Sequence, residues 1–354
     1  MRSGCFAIFA SFADFCSHLR VMIIHRFRLN RLMVPFLAAV VALCWLPTRA
    51  AHASPDAGRP SIVLTGRRVL ILGDSITQDG RYVTFIDYYL RRLAPGEKSD
   101  LISIGLSSET VSGLSEKTHP FPRPCVLERL DRALIAVKPQ VVLACYGMND
   151  GIYHPPSAER LAAFTQGIHE LIARVHASGA QLILFTPTVF DPMPIHDRTV
   201  PADAGEFSYN KPFVGYDAVL AEYARAELAL SEPGTTVIDL HGPLTTALLA
   251  QRSRNPSFSF SPDGIHPNDS AHLLIARIIL ETLGYSLKGQ VADAVSIEKD
   301  PLFPLIRDRR ALRSEAWLPF VGYIRGETFK SASVTAAEQV ATRLQDQIYA
   351  RPVN

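Results

Sequence analysis

Five short apolar runs, each ending in a polar turn and followed by a segment of helical periodicity, set the tightest limit on how this chain can fold. They are residues 67–73, 100–104, 141–146, 181–186 and 235–240. The third (V-V-L-A-C-Y) has no polar member, as expected of a strand covered on both faces. Between the runs, Phe85, Tyr88, Tyr89 and Leu93 recur at helical spacing, as do Leu127, Leu130, Leu134 and Val137. Leu161, Phe164, Ile168, Leu171, Ile172 and Val175 do the same. Helices are expected over 81–93, 125–137, 161–175, 213–230 and 244–254, with one more capped by Asn268. Residues 106–114 form a Ser/Thr/Gly-rich turn with room for a short helix. Residues 187–212 form a loop of a length that is uncommon unless functional. Strands alternating with helices predict a parallel, doubly wound α/β sheet.

The alternation runs from about 67 to 284, which is read as one domain. Before it, Arg26, Arg28 and Arg31 precede an apolar run, Met33 to Leu46, and a small-x-small site at Ala51-His52-Ala53. That order is the pattern of a secretory signal peptide over 1–53, with cleavage before Ser54 and a linker over 54–66. The apolar run is short for a membrane span. The tail, 285–354, has no β–α alternation and is read as an extension packing on the domain. It carries Arg307, Arg309, Arg310 and Arg313, then Trp317, Phe320 and Tyr323, and a final helix with Val334, Ala337, Ala341, Leu344 and Ile348 on one side. The arginines are read as a solvated or ion-paired face, the aromatics as a cap on the core.

The leader takes six of the 36 basic and one of the 34 acidic residues, so the remaining chain is slightly acidic, about −3. No basic stripe points to nucleic acid. Of five cysteines only Cys125 and Cys145 lie outside the leader; they make neither a disulfide framework nor a metal motif, though one bond between them is possible. Cys145, in an apolar strand, is read as a buried thiol.

The chemistry sits at the strand ends, which share one edge in a parallel sheet. Ser75 follows the first strand, Gly105 the second and Asn149 the third; Asp263-Gly264-Ile265-His266 lies near the domain end. Taken singly, each has a plain structural account: a helix cap, a strand terminator, two turns. Together they supply acyl-transfer chemistry. A serine hydroxyl needs a base, and His266 is suited to that near neutral pH. Asp263 can orient the imidazole. The N–H of Ser75, the N–H of Gly105 and the Asn149 amide can receive an oxyanion.

Gly73-Asp74-Ser75-Ile76, Gly105, Gly147-Met148-Asn149-Asp150 and Asp263-x-x-His266 resemble the four blocks of the SGNH hydrolase family, the GDSL esterases and lipases. The resemblance covers roughly 67–284. It implies a three-layer α/β/α, flavodoxin-like sandwich with a five-stranded parallel sheet and no cofactor or metal. It also implies Ser75 as nucleophile, His266 as base, Asp263 as its partner, and Ser75, Gly105 and Asn149 as the oxyanion hole. Ile76 replaces the usual Leu. Ser103 stands where many members have Asn, which bears on a side-chain contact but not on the Gly105 donor.

Asp74, His119 and Tyr153 are further candidates for substrate binding, with Phe121, Arg123 and His154 near them; in the family Asp74 more often supports the turn. Asp239 and His241 with His266 could suggest a metal, but the spacing is generic. The reading is an exported serine esterase acting on small-molecule or glycan esters, first of all short acetyl esters on carbohydrate. A lipase or lysophospholipase is the runner-up. Acyl transfer would use the same residues, and a non-catalytic glycan-binding module is the rival from another class.

Overall fold

The structure, a computed structural model, describes residues 62–323 and 334–353. The expected leader, and the linker up to residue 61, lie outside the described residues.

Five strands form one all-parallel sheet: β1 (Arg68–Gly73), β2 (Asp100–Ser103), β3 (Val141–Cys145), β4 (Gln181–Phe185) and β5 (Thr235–Ile238), in the order β2-β1-β3-β4-β5. This is the flavodoxin-like order, with the direction of winding reversed at β1. Successive side chains of a strand face opposite layers. Thus Leu70 and Leu72 join Val142, Ala144, Leu182 and Leu184 in one core, while Val69 and Ile71 join Val141, Leu143, Ile183 and Phe185 in the other.

Helices fill both layers. The short α1 (Ser75–Asp79) and α2 (Arg81–Leu93) follow β1, separated by Gly80. Next come α3 (Leu130–Val137), α4 (Ala158–Ala177), α5 (Tyr216–Leu228), α6 (His241–Arg252) and α7 (Asp269–Thr282). Asn268 caps α7 through its side chain, which accepts from the N–H of Ala271 at 3.0 Å. Two expectations need correction. Residues 106–114 hold turns and no helix, because Asp150 takes up the N–H groups of Val111 and Ser112. The helix expected over 125–137 is a 3₁₀ turn, Val126–Glu128, followed by α3. The last linker residues are also packed: Leu64 is fully buried and its N–H donates to Tyr285 Oη at 2.7 Å.

The tail contributes α8 (Ala294–Glu298), α9 (Leu302–Val321) and α10 (Thr335–Ala350). The 20-residue α9 spans about 30 Å. Its first turns place Leu302, Phe303 and Ile306 in one core; its last place Trp317, Leu318 and Val321 in the other. Between them it lies along the open edge of β2. Arg309, Arg313 and Ser314 donate to the carbonyls of Ser99, Leu101 and Ser103, and Gln345 of α10 adds a bond to Ser99. The two arginines are buried and paired, Arg309 with Asp87, Arg313 with Asp100 and Glu338. Both Cys125 and Cys145 are free thiols. Among the described residues no helix is long and apolar enough to cross a membrane.

Candidate active site

The carboxyl ends of β1, β2 and β3 meet at one edge, and the loop before α7 reaches over them. Ser75 is the first residue of α1. Asp74 makes it so: its Oδ1 accepts the Ile76 N–H at 2.9 Å and caps the helix. His266 Nε2 lies 2.8 Å from Ser75 Oγ, and His266 Nδ1 lies 2.6 Å from Asp263 Oδ2. Asp263 Oδ1 accepts the N–H groups of Ile265 at 3.0 Å and His266 at 2.8 Å, which fixes the carboxylate beside the ring. Gly264 makes the turn between them. Its φ is +84°, and a Cβ there would meet Asp191 O at 2.8 Å.

The charges follow from these contacts. The hydrogen bond to Asp263 raises the His266 imidazole above its ordinary value, partial burial opposes this, and the carboxylates of Asp263, Asp74 and Asp79 add to the rise. Burial pushes the Asp263 carboxyl up, but the hydrogen bonds from His266 and Ile265 together hold it well below the usual range. Burial raises Asp74 to about 7.

Each of the three expected oxyanion donors keeps an N–H that no described acceptor takes up. The N–H groups of Ser75 and Gly105 have no acceptor among the described residues. Asn149 Nδ2 spends one N–H on Glu109 O at 3.2 Å and keeps the other. Gly105 is required by α1 itself: a Cβ on it would sit 2.4 Å from Gln78 N and 2.5 Å from Thr77 C. The Ser103 hydroxyl donates to Thr77 O at 3.3 Å, a second tie between β2 and α1.

A cleft of about 240 Å³ opens beside Ser75 and His266, walled by Ser107, Ser108, His119, Phe121, Arg123, Asn149, Tyr153, Tyr209 and Ile265. His119 packs edge-on to Phe121 and against Tyr209, so the two loops 106–124 and 187–212 meet here. Tyr153, at φ +61°, turns back so that its Oη donates to Asn149 Oδ1 at 3.1 Å. Asp74 stands under α1, 4% exposed, and is not part of the wall. His154 packs on Phe207. Asp239 accepts from Thr186 and Gly242 and His241 faces Asp217, so neither joins His266.

A family model described as GDSL-like Lipase/Acylhydrolase matches residues 71–274, over half of the chain. The chain belongs to this family. It is a carboxylic ester hydrolase of the SGNH type. Among similar solved structures, Axe2, an acetylxylan esterase from Geobacillus stearothermophilus, is 20% identical, with 63% of this chain and 96% of that chain covered and a TM-score of 0.43. The acetyl xylan esterase AlAXEase is 19% identical over 60% of this chain and 98% of that one, with a TM-score of 0.45. The gut microbial diltiazem-metabolizing enzyme BT4096 is 17% identical over 64% of this hydrolase but 49% of its own chain, at a TM-score of 0.46; the hydrolase spans about half its length. These likenesses carry no argument about substrate. A comparison with curated proteins gives no match.

Sequence reasoning did not reach the groups that hold the site together. Asp150, fully buried, accepts three backbone N–H groups, from Val111, Ser112 and Gly147, and so joins the turns after β2 and β3. Glu109 pairs with the buried Arg129 and accepts from Tyr146. Glu116 pairs with Arg123. Such pairings follow loop paths and leave no periodic trace; only Asp150, as part of the Gly147–Asp150 motif, and Arg123, as a neighbour of the cleft, were visible beforehand.

Proposed function

We propose that this hydrolase works as a serine esterase, with Ser75 as nucleophile, His266 as general base and acid, and Asp263 orienting the imidazole. The observation that carries it is the continuous hydrogen-bond chain from Ser75 Oγ through both ring nitrogens of His266 to Asp263. His266 Nε2 takes the hydroxyl proton as Oγ attacks the ester carbonyl. The carbonyl oxygen becomes an oxyanion facing the N–H groups of Ser75 and Gly105 and the Asn149 amide, each worth a factor of about 10²–10³ in kcat. Collapse expels the alcohol, which receives the proton from His266. Water then attacks acyl-Ser75 with the same base and frees the acid.

For the substrate we propose a short acyl group, acetyl first, on a carbohydrate alcohol. The cleft is small and open, and its wall mixes the rings of His119, Phe121 and Tyr209 with the hydroxyls of Ser107 and Ser108. His119 and Tyr153 would line the bound ester. The basic, apolar and small-residue order of 1–53 supports export, where glycan esters are met. Acetate release from an acetylated oligosaccharide, measured beside fatty-acid release from a lysophospholipid, tests the choice. Turnover at least about tenfold faster on the oligosaccharide is expected; a preference for the lipid would overturn it.

A further inference from the structure

Of the three oxyanion donors, only the Asn149 amide hangs on a rotatable side chain. Its oxygen is fully engaged, accepting from Arg123 Nη1 at 2.9 Å and from Tyr153 Oη at 3.1 Å. A flipped amide would set its NH₂ against the Arg123 guanidinium, donor against donor, and its oxygen against the Glu109 carbonyl, acceptor against acceptor, at a residue that is 4% exposed. Arg123 has no freedom of its own. Its Nε and Nη2 grip Glu116 at 2.6 and 2.7 Å, and Nη1 also reaches Ser108 O at 3.4 Å. The side chains of the pair are 1% and 2% exposed. Burying an ion pair is weak support for a fold. This one joins two points of a single loop seven residues apart and ties no helix or strand to another.

We infer that Arg123, locked by Glu116, is a positioning residue for the oxyanion hole, one that fixes which way the Asn149 amide faces. The inference rests on the serine-esterase reading above. Arg123 does so from behind, through Oδ1, leaving the remaining Nδ2–H directed away from it. A cation on the amide oxygen also draws electron density from the nitrogen and strengthens that N–H as a donor. Glu116 cancels the charge, so the imidazole of His266 gains no cationic neighbour.

The test is a double-mutant cycle read as kcat and KM on p-nitrophenyl acetate. Arg123→Met, alone and with Glu116→Gln so that no charge is left unpaired, is made in the parent and in Asn149→Ala. In the parent we expect kcat to fall about 10- to 100-fold with KM within about threefold. In Asn149→Ala the same changes should cost less than about threefold, because the group they act through is gone. An equal loss in both backgrounds, or an unchanged kcat in the parent, would overturn the inference. So would failure of the neutral pair variant to fold, which would make the pair a determinant of the loop. Full kcat in Asn149→Ala would instead remove the oxyanion reading on which the inference stands, and the inference with it.

Discussion

At the residue scale the hydrolase is governed by who holds the hydrogen-bonding groups in place. With His266 as the proposed base, its neutral imidazole is the form required, and Asp263 raises its affinity for protons. The rate should therefore climb with pH through a midpoint above the ordinary imidazole value of about 6.5 and be lost below it. Asp74, buried and raised to about 7, titrates in the same range and holds the His266 proton more firmly once ionised. In Asp74→Asn the Oδ1 that caps α1 is kept and the charge is removed. The acid limb of kcat/KM should move to lower pH, and a limb that stays or moves up would contradict the coupling. Gly105→Ala puts a methyl into the backbone of α1. It should cost about 1–3 kcal/mol and displace Ser75, with at least about a tenfold drop in kcat; an unperturbed, fully active variant would show that the helix can yield. That Ser75 and Asn149 fall beside His266 was readable because a parallel sheet gathers its strand ends at one edge. Arg123 was readable only as a neighbour of the cleft, since its partner Glu116 is set by a loop path.

At the element scale, α9 shows where periodicity stops informing. Its arginines were read as a solvated or ion-paired face; Arg309 and Arg313 are paired but buried, and the helix itself was not legible. A helix against one core carries one apolar stripe. This one serves the α2 layer at its start, the edge of β2 in the middle and the opposite layer at its end, so its apolar residues fall on no single side. Pro304 and Pro319 near its ends further obscure the pattern. Arg313 is the pivot, 2% exposed and bonded to Leu101 O at 2.9 Å, Asp100 at 2.7 Å and Glu338 at 2.9 Å. Arg313→Met takes the side-chain donor from the Leu101 carbonyl and one of two partners from each carboxylate, Asp100 keeping Arg68 and Glu338 keeping Trp317. A loss of about 2–4 kcal/mol is expected, at the lower end because the carboxylates are partly exposed. Thermal unfolding measures it, and an unchanged Tm would remove α9 as a clasp.

For the whole molecule, the five parallel strands and both helical layers were legible from the alternation of apolar runs, while the flavodoxin-like strand order was expected only from the family resemblance. The tail was read as packing on the domain, but the contacts through which it does so were not legible, because they join single residues distant in sequence. Tyr285 receives the N–H of Leu64, Ile348 packs with the α2 layer, and α9 and α10 cover the outer edge of β2, one of the two edge strands of the sheet. Exposed strand edges pair with other chains. A chain ending at Gly284 should therefore run as high-mass aggregate on gel filtration, while the chain with its tail stays dispersed. A monomeric, active truncation would mean that the domain ends where the β–α alternation does.

The most direct test of the central claim is p-nitrophenyl acetate hydrolysis by the chain and by Ser75→Ala at equal concentration, with thermal unfolding of both. With Ser75 as the nucleophile, kcat should fall by at least about 10³-fold while Tm is unchanged within a few degrees. Comparable turnover by a folded Ser75→Ala would contradict Ser75 as the nucleophile.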